Sequence, residues 1–280
     1  MRLYVSDLDG TLFPSIYGLS QEGKTRLARL IDGGLPFTFA TSRAFPSATD
    51  AIGRPSIRSG RIANNGAVVV DKTGEVIHQV TLPWKNILGI SERLKRMALP
   101  VIWALDAQTG YERRCWLPNG PHHLDPYMES RKHDTTVVRM RSFDDLPRNR
   151  FCLNLSTVGP GDLLRDLKQQ FHSEYLTIQV APDPYQMGVY TMIVQGRTDK
   201  GEALLVLCAA EGIPPEDVTV FGDSLSDMPL FRVAGRRVAV ENAVEELKEE
   251  ADEIIGRPVL LSVLDWLEEH TRSGAGKGSV

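Results

Sequence analysis

Short apolar runs alternate with longer stretches of helical period through the first eighty residues. Residues 2–6 (Arg-Leu-Tyr-Val-Ser) have the length and composition of a buried strand. Ser20 stands as an N-cap before a stretch in which Leu27, Leu30 and Ile31 share one helical face, and Gly33-Gly34 ends it. Residues 36–40 (Pro-Phe-Thr-Phe-Ala) form a second strand, and residues 45–52 a short helix. Arg61-Ile62-Ala63 and Val68-Val69-Val70 follow as two more strands, split by an Asn-Asn-Gly turn. Strand, helix and strand in this order predict a parallel sheet with crossover helices.

The pattern changes near residue 82. From Trp84 to Met97 the spacing of Ile87, Leu88, Ile90, Leu94 and Met97 predicts an amphipathic helix. Strands are then expected near 99–104, 112–116, 135–139, 150–156, 175–180 and 189–195, with a helix over 160–171 and a turn-rich loop at 119–126. So many strands imply a separate α+β unit built on a mainly antiparallel sheet. Parallel alternation resumes near 198: a helix from Lys200 to Glu211, the strand Val218–Phe221, a polar loop, another helix and Val238-Ala-Val240. A last helix carries Leu260, Leu261, Leu264 and Leu267. No internal repeat is present. The expected organisation is an α/β core made of residues 1–81 and 198–271, interrupted by an inserted domain of residues 82–197. The small, polar residues 272–280 form a disordered tail.

Composition narrows the functional classes. The 280 residues carry 32 Lys+Arg and 36 Asp+Glu, a net charge of −4, which argues against a nucleic-acid partner. No apolar run reaches the roughly 18–20 residues that span a bilayer, and no secretory signal is evident. Cys115, Cys152 and Cys208 are odd in number and far apart, without zinc-type spacing, so the expected location is the reducing cytoplasm, with no membrane partner.

Chemistry-bearing residues gather at strand ends. The first strand runs into Asp7-Leu8-Asp9-Gly10-Thr11-Leu12. Two carboxylates two residues apart on an extended segment point the same way, into the crevice at the carboxyl edge of a parallel sheet; a plain turn is the competing reading. The second strand runs into Thr41-Ser42-Arg43. Its hydroxyl and guanidinium suit phosphate oxygens, or Thr41 merely caps the next helix and Arg43 is a solvated charge. Asp199-Lys200-Gly201-Glu202 opens the helix after the insertion, with Asp199 as N-cap. Lys200 there opposes the helix dipole, a conflict that a bound anion would resolve. Finally, Gly222-Asp223-Ser224-Leu225-Ser226-Asp227 follows the Val218–Phe221 strand, placing Asp223 at its end and Asp227 a helical turn further on. Clustered carboxylates need a cation, and an all-oxygen set suits Mg²⁺.

The ordered set Asp7-x-Asp9-Gly10-Thr11, Thr41, Lys200 and Gly222-Asp223-x3-Asp227 resembles the four motifs of the haloacid dehalogenase-like hydrolase superfamily. The insertion, the Asp199-Lys-Gly-Glu at its exit and Asn65-Gly66-Ala67 resemble its Cof-like phosphatases. The resemblance implies a Rossmann-like core with an α/β cap that closes over the site. It implies Asp7 as the nucleophile and Asp9 as general acid and then base. Mg²⁺ would be held by Asp7, the Asp9 carbonyl and Asp223, with Asp227 acting through water or as a supporting partner. Gly10, Thr41, Ser42 and Lys200 would bind phosphate, and Arg43 and Asn242 the substrate. The implied activity is hydrolysis of a small phosphorylated metabolite, with a sugar phosphate as the leading candidate.

There are departures from the pattern: Thr41-Ser42-Arg43 stands for Thr-Gly-Arg, Ser226 for Asn, and Glu241-Asn242-Ala243 for Gly-Asn-Ala. Asn242 either meets substrate or caps the following helix. A phosphotransferase or mutase would use the same nucleophile. A non-catalytic phosphate-binding regulator would lack the nucleophile, acid or lysine, and all are present; a haloalkanoate dehalogenase has no use for Asp9 or the magnesium carboxylates. His122-His123 in a polar loop reads as surface, and Trp84, Trp103 and Trp116 as core. Arg113-Arg114, Arg131-Lys132 and Arg139 are either a solvated face or steer an anionic substrate.

Overall fold

The computed structural model describes residues 2–14, 18–105, 113–117, 137–146, 151–183 and 187–272. They divide into two compact units, one from Met1–His78 with Asp199–Val280 and the other from Gln79–Thr198.

In the first unit, β1 (Leu3–Ser6) is buried along its whole length, which an unbroken apolar run achieves when both faces of a parallel sheet are covered. The helix α1 (Gln21–Asp32) begins at Ser20, whose Oγ accepts the Gly23 N–H at 3.1 Å, and buries Leu27 and Ile31. Then come β2 (Phe37–Phe39), α2 (Phe45–Ala51), β3 (Arg61–Ala63), β4 (Val68–Val70) and β5 (Val76–Gln79). The second unit holds α3 (Trp84–Arg96), β6 (Val101–Leu105), β7 (Arg113–Leu117), β8 (Val137–Arg139), β9 (Cys152–Gly159), α4 (Gly161–Gln170), β10 (Leu176–Pro182) and β11 (Tyr190–Gly196). The chain returns to the first unit with α5 (Lys200–Glu211), β12 (Val218–Gly222), α6 (Met228–Val233), β13 (Arg236–Val240), α7 (Glu245–Glu249), β14 (Glu253–Ile255) and α8 (Ser262–Arg272).

The main sheet runs β14-β13-β12-β1-β2, with every pair parallel. The order is decisive for the site. It sets β1 against β12, more than two hundred residues apart in sequence, so the chain ends leaving both strands emerge side by side. The connections from β1 and β12 run to opposite sides of the sheet, the kind of switch point where α/β folds open a crevice. Leu3, Val5, Phe39, Val220, Phe221, Val238, Leu264 and Leu267 are fully buried around this sheet.

Three details depart from the sequence expectation. β3 and β4 do not extend the parallel sheet; they pair antiparallel in a separate sheet ordered β3-β4-β5, tied to the main sheet by a parallel bridge from Ala40 to Ile62. Asn64, Asn65 and Gly66 all take positive φ, at 52°, 53° and 93°, and reverse the chain within three residues. Gly66 also lies where a Cβ would sit 2.2 Å from the Asp199 carbonyl oxygen, so the reversal packs directly on the start of α5. β5 and β14 were not anticipated, because each is short and carries exposed or charged residues instead of an apolar run. The last helix begins after Leu260 and Leu261, the latter at φ 55°.

In the second unit a six-stranded sheet is ordered β10-β11-β9-β6-β7-β8, antiparallel except for the parallel pair β7–β8. Leu155, Met192 and Val194 on one face form a core with Ile87 and Leu94 of α3 and Leu164 of α4. The alternate residues Asn154, Ser156, Thr191 and Gln195 lie on the opposite face. Trp103 is fully buried and donates its Nε1–H to Ser91 Oγ at 3.0 Å, and Trp84 packs on the same core, so both are structural. Arg139 is exposed. His122, His123, Arg131, Lys132, residues 119–126 and residues 273–280 lie outside the described residues, as do the side chains of Arg113, Arg114 and Trp116. All three cysteines are buried and form no disulfide with one another. Among the described residues no helix is long and apolar enough to cross a membrane.

Candidate active site

Three carboxylates and a lysine meet where β1 and β12 end. Asp7 follows β1 and donates its N–H to the Phe221 carbonyl at 3.0 Å, which continues the strand pairing to the edge of the crevice. Lys200 opens α5, and its Nζ donates to Asp7 Oδ1 at 2.6 Å and to Asp227 Oδ1 at 2.7 Å. The other Asp227 oxygen, Oδ2, accepts the Asp223 N–H at 3.1 Å, the Ser224 N–H at 3.0 Å and the Ser224 hydroxyl at 3.2 Å. Ser224 and Asp227 thus form a reciprocal capping box, a signal present in the sequence as Ser-x-x-Asp. One oxygen each of Asp7, Asp223 and Asp227 lie within 4.8 Å of one another.

The Lys200 ammonium faces two carboxylates of the chain itself, which supply counter-charge at the start of α5. Burial opposes its charge, but Asp227 and Asp7 together outweigh burial and raise its pKa. One cation does not balance three carboxylates. Burial holds the Asp7 pKa well above the ordinary 3.8, Lys200 offsets part of this, and Asp227 and Asp223 push it further up. Asp223 is pushed up to about 6, by burial first and then by Asp227. With its folded pKa above the unfolded one, Asp223 binds more protons in the folded protein, so its contribution to stability falls as pH rises from 3.8 to about 6.

At the second strand end the structure overturns the reading of Thr41 as a helix cap and Arg43 as a solvated charge. Thr41 is fully buried, and its Oγ1 accepts the Arg43 N–H at 3.1 Å. It does not cap α2, whose N-cap is Ala44 without a side-chain bond. Arg43 is not a solvated charge: its Nε and Nη2 grip both oxygens of Asp9, at 2.6 and 2.5 Å. Ser42 is exposed on the connecting loop.

The first loop is braced by hydrogen bonds the sequence reading did not foresee, one of them from Thr11, to which it gave no role. The Thr11 hydroxyl donates to Asp223 Oδ1 at 2.7 Å and joins the two strand ends directly. Asn242 does not cap α7, whose N-cap is Val244; its Nδ2 donates to the Gly10 carbonyl at 2.9 Å. Gly10 has φ 85°, donates its own N–H to the Phe13 carbonyl at 3.0 Å, and lies where a Cβ would be 2.4 Å from Asp223 Oδ2. Gly10→Ala therefore meets both an unfavourable backbone region and the Asp223 carboxylate. A loss of about 1–3 kcal/mol is expected, read as a lower urea midpoint at unchanged m-value. An unchanged midpoint would show that the loop relaxes freely.

The comparisons agree with this geometry. The haloacid dehalogenase-like hydrolase family matches residues 4–265. An HMP-PP phosphatase of Yersinia pseudotuberculosis is 26% identical over 264 residues, covering 91% of this chain and 90% of the relative. The solved structure of TM0651 from Thermotoga maritima superposes with a TM-score of 0.76 at 24% identity, covering 96% of this chain and 97% of that one. A structure described as the subclass IIB sugar phosphatase BT4131 has a TM-score of 0.73 at 17% identity, covering 97% and 99%. With nearly the whole chain matched, from β1 into α8, the protein belongs to the haloacid dehalogenase-like hydrolase family.

Proposed function

We propose that the chain is a Mg²⁺-dependent phosphatase that hydrolyses a small phosphorylated metabolite, a sugar phosphate first among the candidates, through an aspartyl-phosphate on Asp7. Phosphatase activity accords with the family and with the HMP-PP phosphatase relative. The observation that carries the mechanism is the Asp7 carboxylate, buried at the end of β1, steadied through Oδ1 by Lys200 and crowded by Asp223 and Asp227.

In this reading Asp7 Oδ2 attacks phosphorus while the bond to the leaving oxygen breaks, and Asp9 supplies the proton that this oxygen needs. Water then attacks phosphorus, Asp9 takes its proton, and the Asp7–phosphorus bond breaks to release inorganic phosphate. Lys200 and Thr41 line the phosphoryl side, where charge spreads over the equatorial oxygens.

The donor set fits magnesium. It is all oxygen, it carries more negative charge than Lys200 balances, and the raised pKa values of Asp7 and Asp223 record that imbalance. Asp7, Asp223 and the Asp9 carbonyl would hold the ion. Asp227, with both oxygens already occupied, would act behind them by holding Lys200 and the Asp223 backbone. When bound, magnesium supplies charge neutralisation that lets one anion approach another. The unit of residues 79–198 is assigned the choice of leaving group. Three buried cysteines, none of them in a disulfide with another, accord with a reducing compartment such as the cytoplasm.

Phosphate release from p-nitrophenyl phosphate with and without Mg²⁺, followed by a panel of sugar phosphates, nucleotides and phospho-acids, tests this reading. EDTA is expected to abolish release and Mg²⁺ to restore it. Mg²⁺ is also expected to raise the melting temperature more above pH about 6 than below it, because Asp223 must give up its proton to bind. Turnover unaffected by EDTA would contradict the metal assignment.

A further inference from the structure

Asp9 and Arg43 are 34 residues apart in sequence and form the only fork-shaped ion pair among the described residues at this crevice. Asp9 sits on a tight turn with its side chain one-third exposed, and both of its carboxyl oxygens are held by Arg43. Arg43 is fixed from several sides. Its guanidinium carbon stands 5.3 Å over the ring centroid of buried Phe13, and its Nη1 reaches Ser47 Oγ at 3.4 Å. Its backbone N–H is tied to Thr41, and its carbonyl accepts the Asn64 N–H at 3.0 Å. Phe13 in turn closes the Asp9 turn, bridging to Asp9 and accepting the Gly10 N–H. A planar fork gripping both oxygens of a carboxylate restricts its torsion as well as its position, which a point charge does not.

We propose that Arg43 is a positioning residue: it sets the direction in which Asp9 presents its carboxyl to the leaving oxygen, and it does not bind the phosphoryl group. The proposal rests on the phosphatase reading given above. It makes a prediction that substrate binding or a purely structural role does not. General acid assistance matters greatly for an alkyl alcohol leaving group and little for p-nitrophenolate, which departs without a proton. A misdirected Asp9 should therefore slow alkyl esters selectively.

The test compares kcat and KM of the wild type, Arg43→Ala and Arg43→Lys on glycerol 2-phosphate and p-nitrophenyl phosphate, in both the native and the Asp9→Ala backgrounds. Arg43→Ala is expected to lower kcat on the alkyl ester by about 10- to 100-fold more than on the nitrophenyl ester. Arg43→Lys, which keeps the charge without the fork, should fall between wild type and Arg43→Ala, and carries the test if Arg43→Ala does not fold. In the Asp9→Ala background, Arg43→Ala should add less than about threefold, because the group it directs is gone. Equal losses on the two esters, full additivity with Asp9→Ala, or a rise in KM alone would overturn the proposal while leaving the phosphatase reading intact. A wild-type protein inactive on every phosphate ester tried would overturn both.

Discussion

Asp7→Asn is expected to remove phosphatase turnover almost completely, by about 10⁴- to 10⁶-fold in kcat, as loss of a covalent nucleophile does elsewhere. The substitution keeps the shape of the side chain and leaves an amide oxygen to accept the Lys200 hydrogen bond seen at 2.6 Å. What it loses is the anionic oxygen that attacks phosphorus. The same change should leave the fold intact or strengthen it. Asp7 is buried, its pKa is held well above 3.8 by that burial, and Asp227 and Asp223 repel it further. Removing one of three crowded carboxylates leaves Lys200 in a one-to-one pair with Asp227, and relieves a cost that the reaction alone requires. The expected result is an inactive protein with an equal or higher melting temperature. An inactive variant that has also lost its fold would place Asp7 in the architecture instead of the chemistry.

Lys200→Met is expected to do the reverse and damage stability as severely as activity. The ammonium is 2% exposed and is shared between Asp7 and Asp227, themselves 7% and 0% exposed at their side chains. Methionine matches its length but leaves two buried carboxylates without the cation between them, a change worth about 3–5 kcal/mol when one partner of a buried pair is removed. For a domain of this size that is a fall of roughly 10 °C in melting temperature. The sign of its pH dependence is fixed. Asp7, already held above 3.8 by burial, loses the Lys200 charge that lowers its pKa, so the folded variant takes up a proton that the unfolded chain does not. The defect should be full at neutral pH and shrink as pH falls toward that value. Asp227→Asn should restore part of the lost stability in the Lys200→Met background, and a variant as stable as wild type at neutral pH would refute the pairing.

Much of this site was legible before any coordinates, and the boundary of legibility has a physical cause. Asp7 and Asp223 could be placed because each ends an apolar strand, and strand ends in a parallel sheet share one edge. Lys200 stood out because a cation at a helix N-terminus needs a counter-charge. The partners were the hidden part. The sheet order that seats β1 beside β12 is a long-range property, and without it neither the Thr11–Asp223 bond nor the reach of Asn242 to Gly10, across 232 residues, can be foreseen. The counter-charges that Lys200 meets within the chain, Asp7 and Asp227, are hidden for the same reason, lying 193 and 27 residues away. Local chemistry also misled at β3, where Arg61-Ile62-Ala63 after a helix suggested another parallel strand. The three positive-φ residues that follow turned it into an antiparallel hairpin. In the second unit the amphipathic periods of α3 and α4 and the strand-rich stretches were plain. The parallel pairing of β7 with β8 was not, because period-two patterns carry no information about partners.

The covalent step is the centre of the account, and it can be observed directly. Wild-type protein mixed with a phosphate ester and Mg²⁺, quenched in acid within milliseconds and digested, is expected to yield one phosphorylated peptide. That peptide should contain Asp7, be cleaved by hydroxylamine as acyl phosphates are, and be missing from Asp7→Asn treated in the same way. A phosphoryl group found on any other residue, or an Asp7→Asn protein that still turns over at the wild-type rate, would contradict the assignment of Asp7 as the nucleophile.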